Sequence, residues 1–312
     1  MENTNLRRLL LASLCVVAAV VGVRSGAAEP FDVTPIAPGV FVHAGQTLAL
    51  DVPGHDDIAN LGFVVGARCV AVIDSGGSVR TGRALREAIT NRTPLPVCYV
   101  INTHVHVDHV LGNAAFVSDK PKFVGHAMLA AALARSRELF LRDYAADLDA
   151  PPSAGQIIAP DVAVADSLEL DLGERKLRLE VWPKAHTDCD LTVVDETSGT
   201  LFTGDLLFRG RIPALDGSAV GWLAAIDALA KRSPRHVVPG HGPLAQDIKT
   251  ALAPERRYLQ ALVDGVRAAI ARGESMNDAI AHVGLGEKAH WQLWDSAHAH
   301  NVARVYQELE WE

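Results

Sequence analysis

Short apolar runs alternate along the chain with segments of helical spacing. Five short runs have the character of strands: 39–45, 59–66, 69–76, 97–104 and 122–126. Several of them are continuously apolar, as expected for strands that are covered on both faces. Segment 167–182 differs, because its apolar and polar residues alternate on both sides of Gly173, which predicts a hairpin with one buried face. Segment 191–205 has the same strand–turn–strand pattern.

Three segments carry apolar residues at helical spacing: 78–92, 127–148 and 220–232. The first begins at Ser78, a good capping residue, and places Val79, Leu85 and Ile89 on one face. Strands that alternate with helices predict an α/β protein in which helices pack outside a sheet core.

The pattern changes at about residue 244, beyond which only helices are predicted, over 253–273 and 289–312. We therefore predict a main domain over 31–243 and a C-terminal helical extension over 244–312. Prolines between residues 151 and 160 predict an irregular stretch that divides the main domain into two strand-rich halves.

The first 28 residues have the layout of a secretory signal peptide. Arg7 and Arg8 precede an uncharged apolar run over 9–23, and small residues follow, with cleavage expected after Ala28. The run is shorter than the roughly 18 residues of a membrane-spanning helix. The mature protein is therefore expected to be periplasmic or secreted without a stable membrane span, and an uncleaved anchor is the alternative.

The composition of the chain limits the classes of molecule that it is expected to bind. The formal net charge is −8, and acidic and basic residues are interspersed, which argues against nucleic acid. Cys15 would leave with the signal, so Cys69, Cys98 and Cys189 remain. Cys69 and Cys98 lie in predicted core strands and are either bridged or buried as free thiols.

The segment INTHVHVDHVLGN, residues 101–113, concentrates metal-binding residue types just after a predicted strand. His104 and His106 are two positions apart, so an extended backbone points both imidazoles to the same side. Asp108 and His109 begin the next helical turn and can face a second point nearby. One segment could therefore serve two metal ions.

A catalytic zinc ion usually has three protein ligands and a water molecule, so further ligands are expected from later loops. Three residues lie where predicted strands end: His186, Asp205 and His241. Gly204 precedes Asp205 and allows a close approach of the backbone. Any of the three alone would be unremarkable, and their combination with the first cluster predicts a metal site.

The motifs THVHVDH, AHTDCDLTVV, FTGDLLF and VPGHGP, in this order, resemble those of the metallo-β-lactamase superfamily. The resemblance covers about 31–243 and implies an αββα sandwich with the site on one rim. It implies that His104, His106 and His186 hold one zinc ion, that Asp108, His109 and His241 hold a second, and that Asp205 bridges them. Asp74, in VIDSG, matches a residue that supports the ligand loop from behind the ligands.

Further segments, DIANLGFVV, GRIPALDGSAVGWL and NVARVYQELEWE, are similar to the exported quinoprotein relay system zinc metallohydrolases. That branch implies a periplasmic dehydrogenase as a partner and supplies no substrate. The expected reaction uses a metal-bridging hydroxide to cleave an ester, thioester, lactone or amide bond in a small molecule, with Asp108 orienting the nucleophile or moving its proton. Nitrogen and carboxylate ligands favour zinc, with iron or manganese as alternatives.

Two other activities stay open. A β-lactamase would need a cation for the carboxylate of the antibiotic, for which Lys184 and Arg211 are available, and a glutathione thioester would use Arg256 and Arg257. A single-iron sulfur-compound oxygenase of the same fold usually lacks a complete second ligand set. A non-enzymatic partner of a dehydrogenase is a third class. Cys189, His298 and His300 are expected to have no role at the site.

Overall fold

The computed structural model describes residues 31–312. The predicted signal peptide lies outside these residues. Twelve strands within them form two sheets. No helix in this part of the chain is both long and apolar enough to cross a membrane.

The first sheet contains seven strands in sequence order: Thr34–Ala37 (β1), Val40–His43 (β2), Leu61–Val65 (β3), Val70–Ile73 (β4), Val97–Ile101 (β5), Lys122–His126 (β6) and Val162–Val164 (β7). Strands β1 to β4 pair antiparallel, and β4 to β7 pair parallel. Because parallel strands point the same way, the loops that follow β4 and β5 meet at one rim.

The second sheet contains five strands: Ser167–Asp171 (β8), Lys176–Val181 (β9), Leu191–Asp195 (β10), Thr200–Phe208 (β11) and His236–His241 (β12). Strands β8 and β9 form the predicted hairpin, with Gly173 in its turn at φ 83°. Strands β10 and β11 form the second one, and β12 pairs parallel to β11. The division between the sheets falls at 165–166, shortly after the predicted irregular stretch.

The part of the chain from residue 31 onward also has seven α-helices: Val79–Thr90 (α1), Val107–Val110 (α2), Leu129–Asp143 (α3), Ala219–Leu229 (α4), Ile248–Ala271 (α5), Met276–His282 (α6) and Trp294–Leu309 (α7). Helix α1 begins as predicted, since Ser78 accepts a hydrogen bond from the Thr81 amide. Helix α5 begins five residues before its predicted start, because Asp247 caps it. Helix α7 begins five residues after its predicted start.

The apolar residues form three layers of core. Val64, Ile73 and Ile101 of the first sheet face Leu179 and Phe202 of the second. The outer face of the first sheet packs against α1, and the outer face of the second packs against α4, α5 and α7. The predicted αββα sandwich with a C-terminal helical part is therefore confirmed.

Of the two alternatives for Cys69 and Cys98, the structure has the bridged one. Cys69 and Cys98 form a disulfide with their Cα atoms 5.8 Å apart. It joins the neighbouring parallel strands β4 and β5 at the end remote from the His104 loop. Cys189 is a buried free thiol, and burial raises its pKa to about 12, so it stays neutral.

Candidate metal centre

The seven ligand candidates come together at one rim of the sandwich. His104, His106, His186 and Asp205 form one group in which the candidate ligand atoms lie within 4.8 Å of one another. The other three form a second group of the same compactness: Asp108, His109 and His241. These are arrangements of nitrogen and carboxylate oxygen atoms that can hold metal ions.

The two groups adjoin at Asp205. Its Oδ2 lies 3.4 Å from His186 Nε2 in the first group and 3.3 Å from His241 Nε2 in the second. Its Oδ1 lies 3.2 Å from His109 Nε2. Asp205 lies within β11, which continues to Phe208, and not just past a strand end as predicted. An irregular register at Gly204, whose φ is 51°, redirects the strand just before this side chain.

Close packing of the backbone holds Asp205 in this position. A Cβ atom on Gly240 would lie 1.9 Å from Asp205 Oδ1, so the neighbouring strand must carry glycine here. Asn60 fixes the loop that carries His241, since its side-chain amide donates to the carbonyls of Pro239 and Gly242.

Four of the histidines are oriented by hydrogen-bond acceptors, which lie on the side of each ring that faces away from the centre. The Nδ1 of His186 donates to the carbonyl of Ala214 at 2.7 Å, and the Nδ1 of His241 donates to the carbonyl of Ile58 at 2.8 Å. Because a carbonyl can only accept, each ring carries a proton on Nδ1 and its Nε2 points inward. His109 and His104 have the same orientation through Asp74.

Asp74 occupies the position that the sequence predicts for it, behind the ligand loop. It is buried directly after β4, and its Oδ1 accepts the amide of Thr103 at 2.8 Å. Its Oδ2 accepts the Thr103 hydroxyl and His109 Nδ1, both at 2.8 Å. The Thr103 oxygen in turn lies 3.0 Å from His104 Nδ1 and can accept its proton.

His106 is oriented in the opposite way. Its Nδ1 faces the centre, 3.0 Å from His186 Nε2, and its Nε2 donates to Asp216 Oδ2 at 2.7 Å. The sequence analysis missed Asp216 as a functional residue, although it lies within the segment GRIPALDGSAVGWL, because nothing in that segment indicated a contact with His106. Sequence analysis also expected no role for His300, but its Nε2 donates to the other Asp216 oxygen at 2.9 Å.

The electrostatics favour cation binding. Burial, with the adjacent imidazole of His106, lowers the pKa of His186 to about 4, and burial lowers that of His104 as well. Both rings are therefore neutral, which is the form that binds metal. Burial alone would raise the pKa of Asp205, but the surrounding imidazoles outweigh it and keep this carboxylate ionised.

Several of the candidate ligand atoms that point into the centre have no hydrogen-bond partner among the described residues. His104 Nε2, His109 Nε2 and Asp205 Oδ1 are fully buried and make no hydrogen bond within the described residues. Unpaired buried polar atoms are costly, and their clustering within two adjoining groups of ligand candidates is the arrangement that bound cations would compensate. The residues present therefore fit the metal that the motifs imply.

A cavity of about 320 Å³ opens onto this centre, and Asp108, Asp205 and His241 lie in its wall. Other lining residues are apolar, including Leu50, Leu139 and Phe140. Arg211 is the only arginine or lysine among the described residues that line it. The Arg211 side chain is buried, lies beside His241 and has no carboxylate within ion-pair distance in this part of the chain.

Other candidate residues lie away from this cavity. Lys184 is exposed and does not line it. Arg256 and Arg257 pair with Asp227 and Glu287 on the surface of the helical part. His298 is buried among the C-terminal helices, against Trp294, so it is neither at the cavity mouth nor on a solvated face.

A sequence model described as the metallo-beta-lactamase superfamily matches residues 55–241, which include all seven ligand candidates. The chain belongs to the metallo-beta-lactamase superfamily. Members of this superfamily are generally hydrolytic enzymes. Helices α5 to α7 lie outside the matched segment. No curated protein sequence matches the chain significantly.

Several solved structures have a similar fold. A metallo-beta-lactamase from Pontibacter korlensis is 22% identical with a TM-score of 0.60, and the match covers 73% of this chain and 98% of that one. A metallo-beta-lactamase family protein from Thermus thermophilus is 19% identical with a TM-score of 0.63, covering 89% and 94%. A sec-alkylsulfatase from a Pseudomonas species is 18% identical with a TM-score of 0.66. That match covers 89% of this chain and only 50% of the sulfatase.

Proposed function

We propose that this superfamily member is a hydrolase that holds two zinc ions and cleaves an ester, thioester, lactone or amide bond in a small molecule. The convergence of seven side chains, with the unpaired atoms of His104, His109 and Asp205 facing one another, carries the proposal. The first group would hold one ion and the second group the other, with Asp205 between them.

The residues around the centre suit hydrolysis. Bound zinc lowers the pKa of water and polarises the bond that is cleaved. Burial raises the pKa of Asp108, but His109 and His241 outweigh it, so this carboxylate stays ionised at neutral pH. From the cavity wall it can accept a hydrogen bond from the attacking water and relay a proton to the leaving group.

The cavity supports a substrate that combines an apolar part with an anionic group. Leu50 and Leu139 are two-fifths exposed at its wall, so they offer apolar surface to a ligand. Arg211 offers a buried guanidinium without a carboxylate partner, and a carboxylate or sulfate group can pair with it bidentately. A β-lactam antibiotic or a sulfate ester also has this combination, which keeps both as candidates.

Export to an oxidising compartment is part of the proposal, and the Cys69–Cys98 disulfide supports it. Membership in the quinoprotein relay branch, and a periplasmic dehydrogenase as partner, remain predictions from the sequence resemblance.

Metal analysis combined with a substrate screen tests the proposal. The mature protein, purified without added metal and then loaded with zinc, should bind two ions and hydrolyse at least one ester, thioester, lactone, sulfate ester or β-lactam, and a chelator should abolish the activity. Asp205→Ala should lose at least one ion and all activity, whereas Asp264→Ala, on the exposed face of α5, should retain both. Two zinc ions in Asp205→Ala would contradict the bridging assignment.

The same measurements separate the alternatives. One iron per chain in the purified protein would favour the single-iron oxygenase. Two zinc ions without hydrolysis of any substrate in the screen would favour a non-enzymatic role.

Arg211→Ala should raise KM for anionic substrates at least about tenfold and leave KM for neutral ones nearly unchanged, because an ion pair in a buried site contributes more than about 1.4 kcal/mol.

A further inference from the structure

His106 is the least enclosed of the proposed ligands. Its side chain is 24% exposed, whereas the other four imidazoles are at most 3% exposed. Packing therefore restrains this ring less than the others. The hydrogen bond from its Nε2 to Asp216 Oδ2 is the contact that points its Nδ1 at the centre.

Asp216 lies on the loop of residues 209–218 that joins β11 to α4. One side of this loop is attached to the site, since the amides of Asp216 and Gly217 both donate to the carbonyl of His186. The Asp216 side chain is half exposed, so its position depends on what contacts the loop from the other side.

One face of α7 contacts the loop of residues 209–218 on the side away from His186. His300, Arg304 and Glu308 are four residues apart and therefore lie on one face of the helix. His300 donates to Asp216 Oδ1, Arg304 donates to the Asp216 carbonyl at 2.9 Å, and Glu308 accepts a hydrogen bond from the hydroxyl of Ser218 at the end of the loop.

Asn301, the neighbour of His300, contacts the same loop from within the core. Its Oδ1 accepts the amide of Leu215 at 3.0 Å, and its Nδ2 donates to the carbonyl of Pro213 at 2.7 Å. Along the four residues 213–216, α7 thus contacts the backbone of Pro213, Leu215 and Asp216.

We infer that the C-terminal helical part is a component of the metal centre, in which His300 is a positioning residue that orients His106 through Asp216. The inference rests on the proposed metal site. It does not follow from membership in the superfamily, since α7 lies outside the matched segment 55–241. The three-residue chain of contacts runs from α7 to Asp216 and then to His106, across 84 and 110 residues of sequence.

Zinc affinity, measured by competition with a chromophoric chelator, tests the inference on the full mature chain. Asp216→Ala should weaken binding at the affected site about 10- to 100-fold, as for other partners of metal-bound histidines. His300→Ala should weaken it less, by about threefold to tenfold, because Asp216 remains and loses one of its restraints. His300→Gln places an amide N–H near the position of His300 Nε2, can still donate to Asp216 and should recover most of the loss.

The double variant distinguishes a positioning role from a structural one. If His300 acts through Asp216, then His300→Ala should add no further loss of affinity in the Asp216→Ala background. An equal loss in both backgrounds would overturn the inference, as would unchanged affinity in His300→Ala. The visible spectrum of the cobalt-loaded protein should change in Asp216→Ala and His300→Ala, because the geometry at His106 changes.

A matched control is available in α6. His282 donates to Glu274 at 2.7 Å in an exposed pair on the surface, so His282→Ala removes a histidine–carboxylate contact away from the centre and should leave zinc affinity unchanged. Thermal unfolding of each variant shows whether it folds. If wild-type protein bound no zinc, the proposed function would fail, whereas normal wild-type binding with an unaffected His300→Ala would refute this inference alone.

Discussion

Replacement of Asp74 by asparagine tests how much of the metal centre depends on the residue behind the ligands. Asp74 accepts three hydrogen bonds of 2.8 Å, two from Thr103 and one from His109. Asparagine has nearly the same shape and tolerates the backbone φ of 57° found here. Its effect therefore comes from hydrogen bonding and charge.

The expected loss of unfolding free energy in Asp74→Asn follows from the hydrogen-bond donors that surround this side chain. If the asparagine oxygen takes the place of Oδ2, it still accepts the Thr103 hydroxyl and His109, but its NH₂ group faces the Thr103 amide. One buried N–H is then unpaired, which costs about 1–3 kcal/mol. The two bonds that remain lose the charge of the acceptor, which weakens them roughly twofold. The sum is a loss of about 2–4 kcal/mol in unfolding free energy, or a decrease in Tm on the order of 5–10 °C.

Metal binding should weaken as well, because His104 and His109 lose part of their orientation. We expect zinc affinity to fall about 10- to 100-fold in a chelator competition assay. Asp195→Asn provides the control, since Asp195 is a buried carboxylate paired with Arg175 at the far end of β10 from His186. This control should lower Tm and leave zinc affinity unchanged. A Tm within 1 °C of the wild type, or about twofold or less change in affinity, in Asp74→Asn would refute the role assigned to Asp74.

Three further outcomes are expected. Gly240→Ala should displace Asp205 and lower zinc affinity at least about tenfold in the same assay, whereas Gly286→Ala, which has no heavy atom within 4 Å of the new Cβ, should not. The double replacement Cys69→Ser and Cys98→Ser should lower the free energy of unfolding by about 3.6 kcal/mol in chemical denaturation, because the disulfide closes a loop of 29 residues, and zinc stoichiometry should stay unchanged. Addition of zinc at about 100 times its Kd should stabilise the metal-free protein by about 2.7 kcal/mol, and an unchanged Tm would contradict binding to the folded state.

Local patterns predicted the parts of the fold that local physics determines. The β8–β9 hairpin follows from alternation around Gly173, and the start of α1 follows from the cap at Ser78. The gathering of the ligand candidates could be predicted because most of them end a strand or follow one. Asp74 was assigned through the resemblance of the VIDSG segment to the superfamily, and it lies directly after β4.

Other features depend on contacts that no local pattern reveals. Strands β1 and β7 have only four and three residues and lie at the sheet edges, so they carry no distinct alternation. The start of α5 was placed too late because Pro254 favours a first helical position, whereas the cap at Asp247 holds a start before it. Asp216 lies on an irregular loop, 110 residues from the histidine that it contacts, and the segment GRIPALDGSAVGWL around it gave no sign of that contact.

The acceptors that orient the five histidines come from different parts of the fold. Asp74 follows a strand of the first sheet, Ile58 precedes another, and Ala214 and Asp216 lie on the loop after β11 that α7 contacts. The ring nitrogens that point into the centre are therefore correctly oriented only when both sheets and the C-terminal helices are in place. Folding of the metal-free chain must bury the resulting unpaired nitrogen and carboxylate atoms, which opposes stability. A site of this kind lowers the stability of the metal-free protein, and metal binding restores that stability. Metal affinity and folding should therefore be strongly linked in this chain.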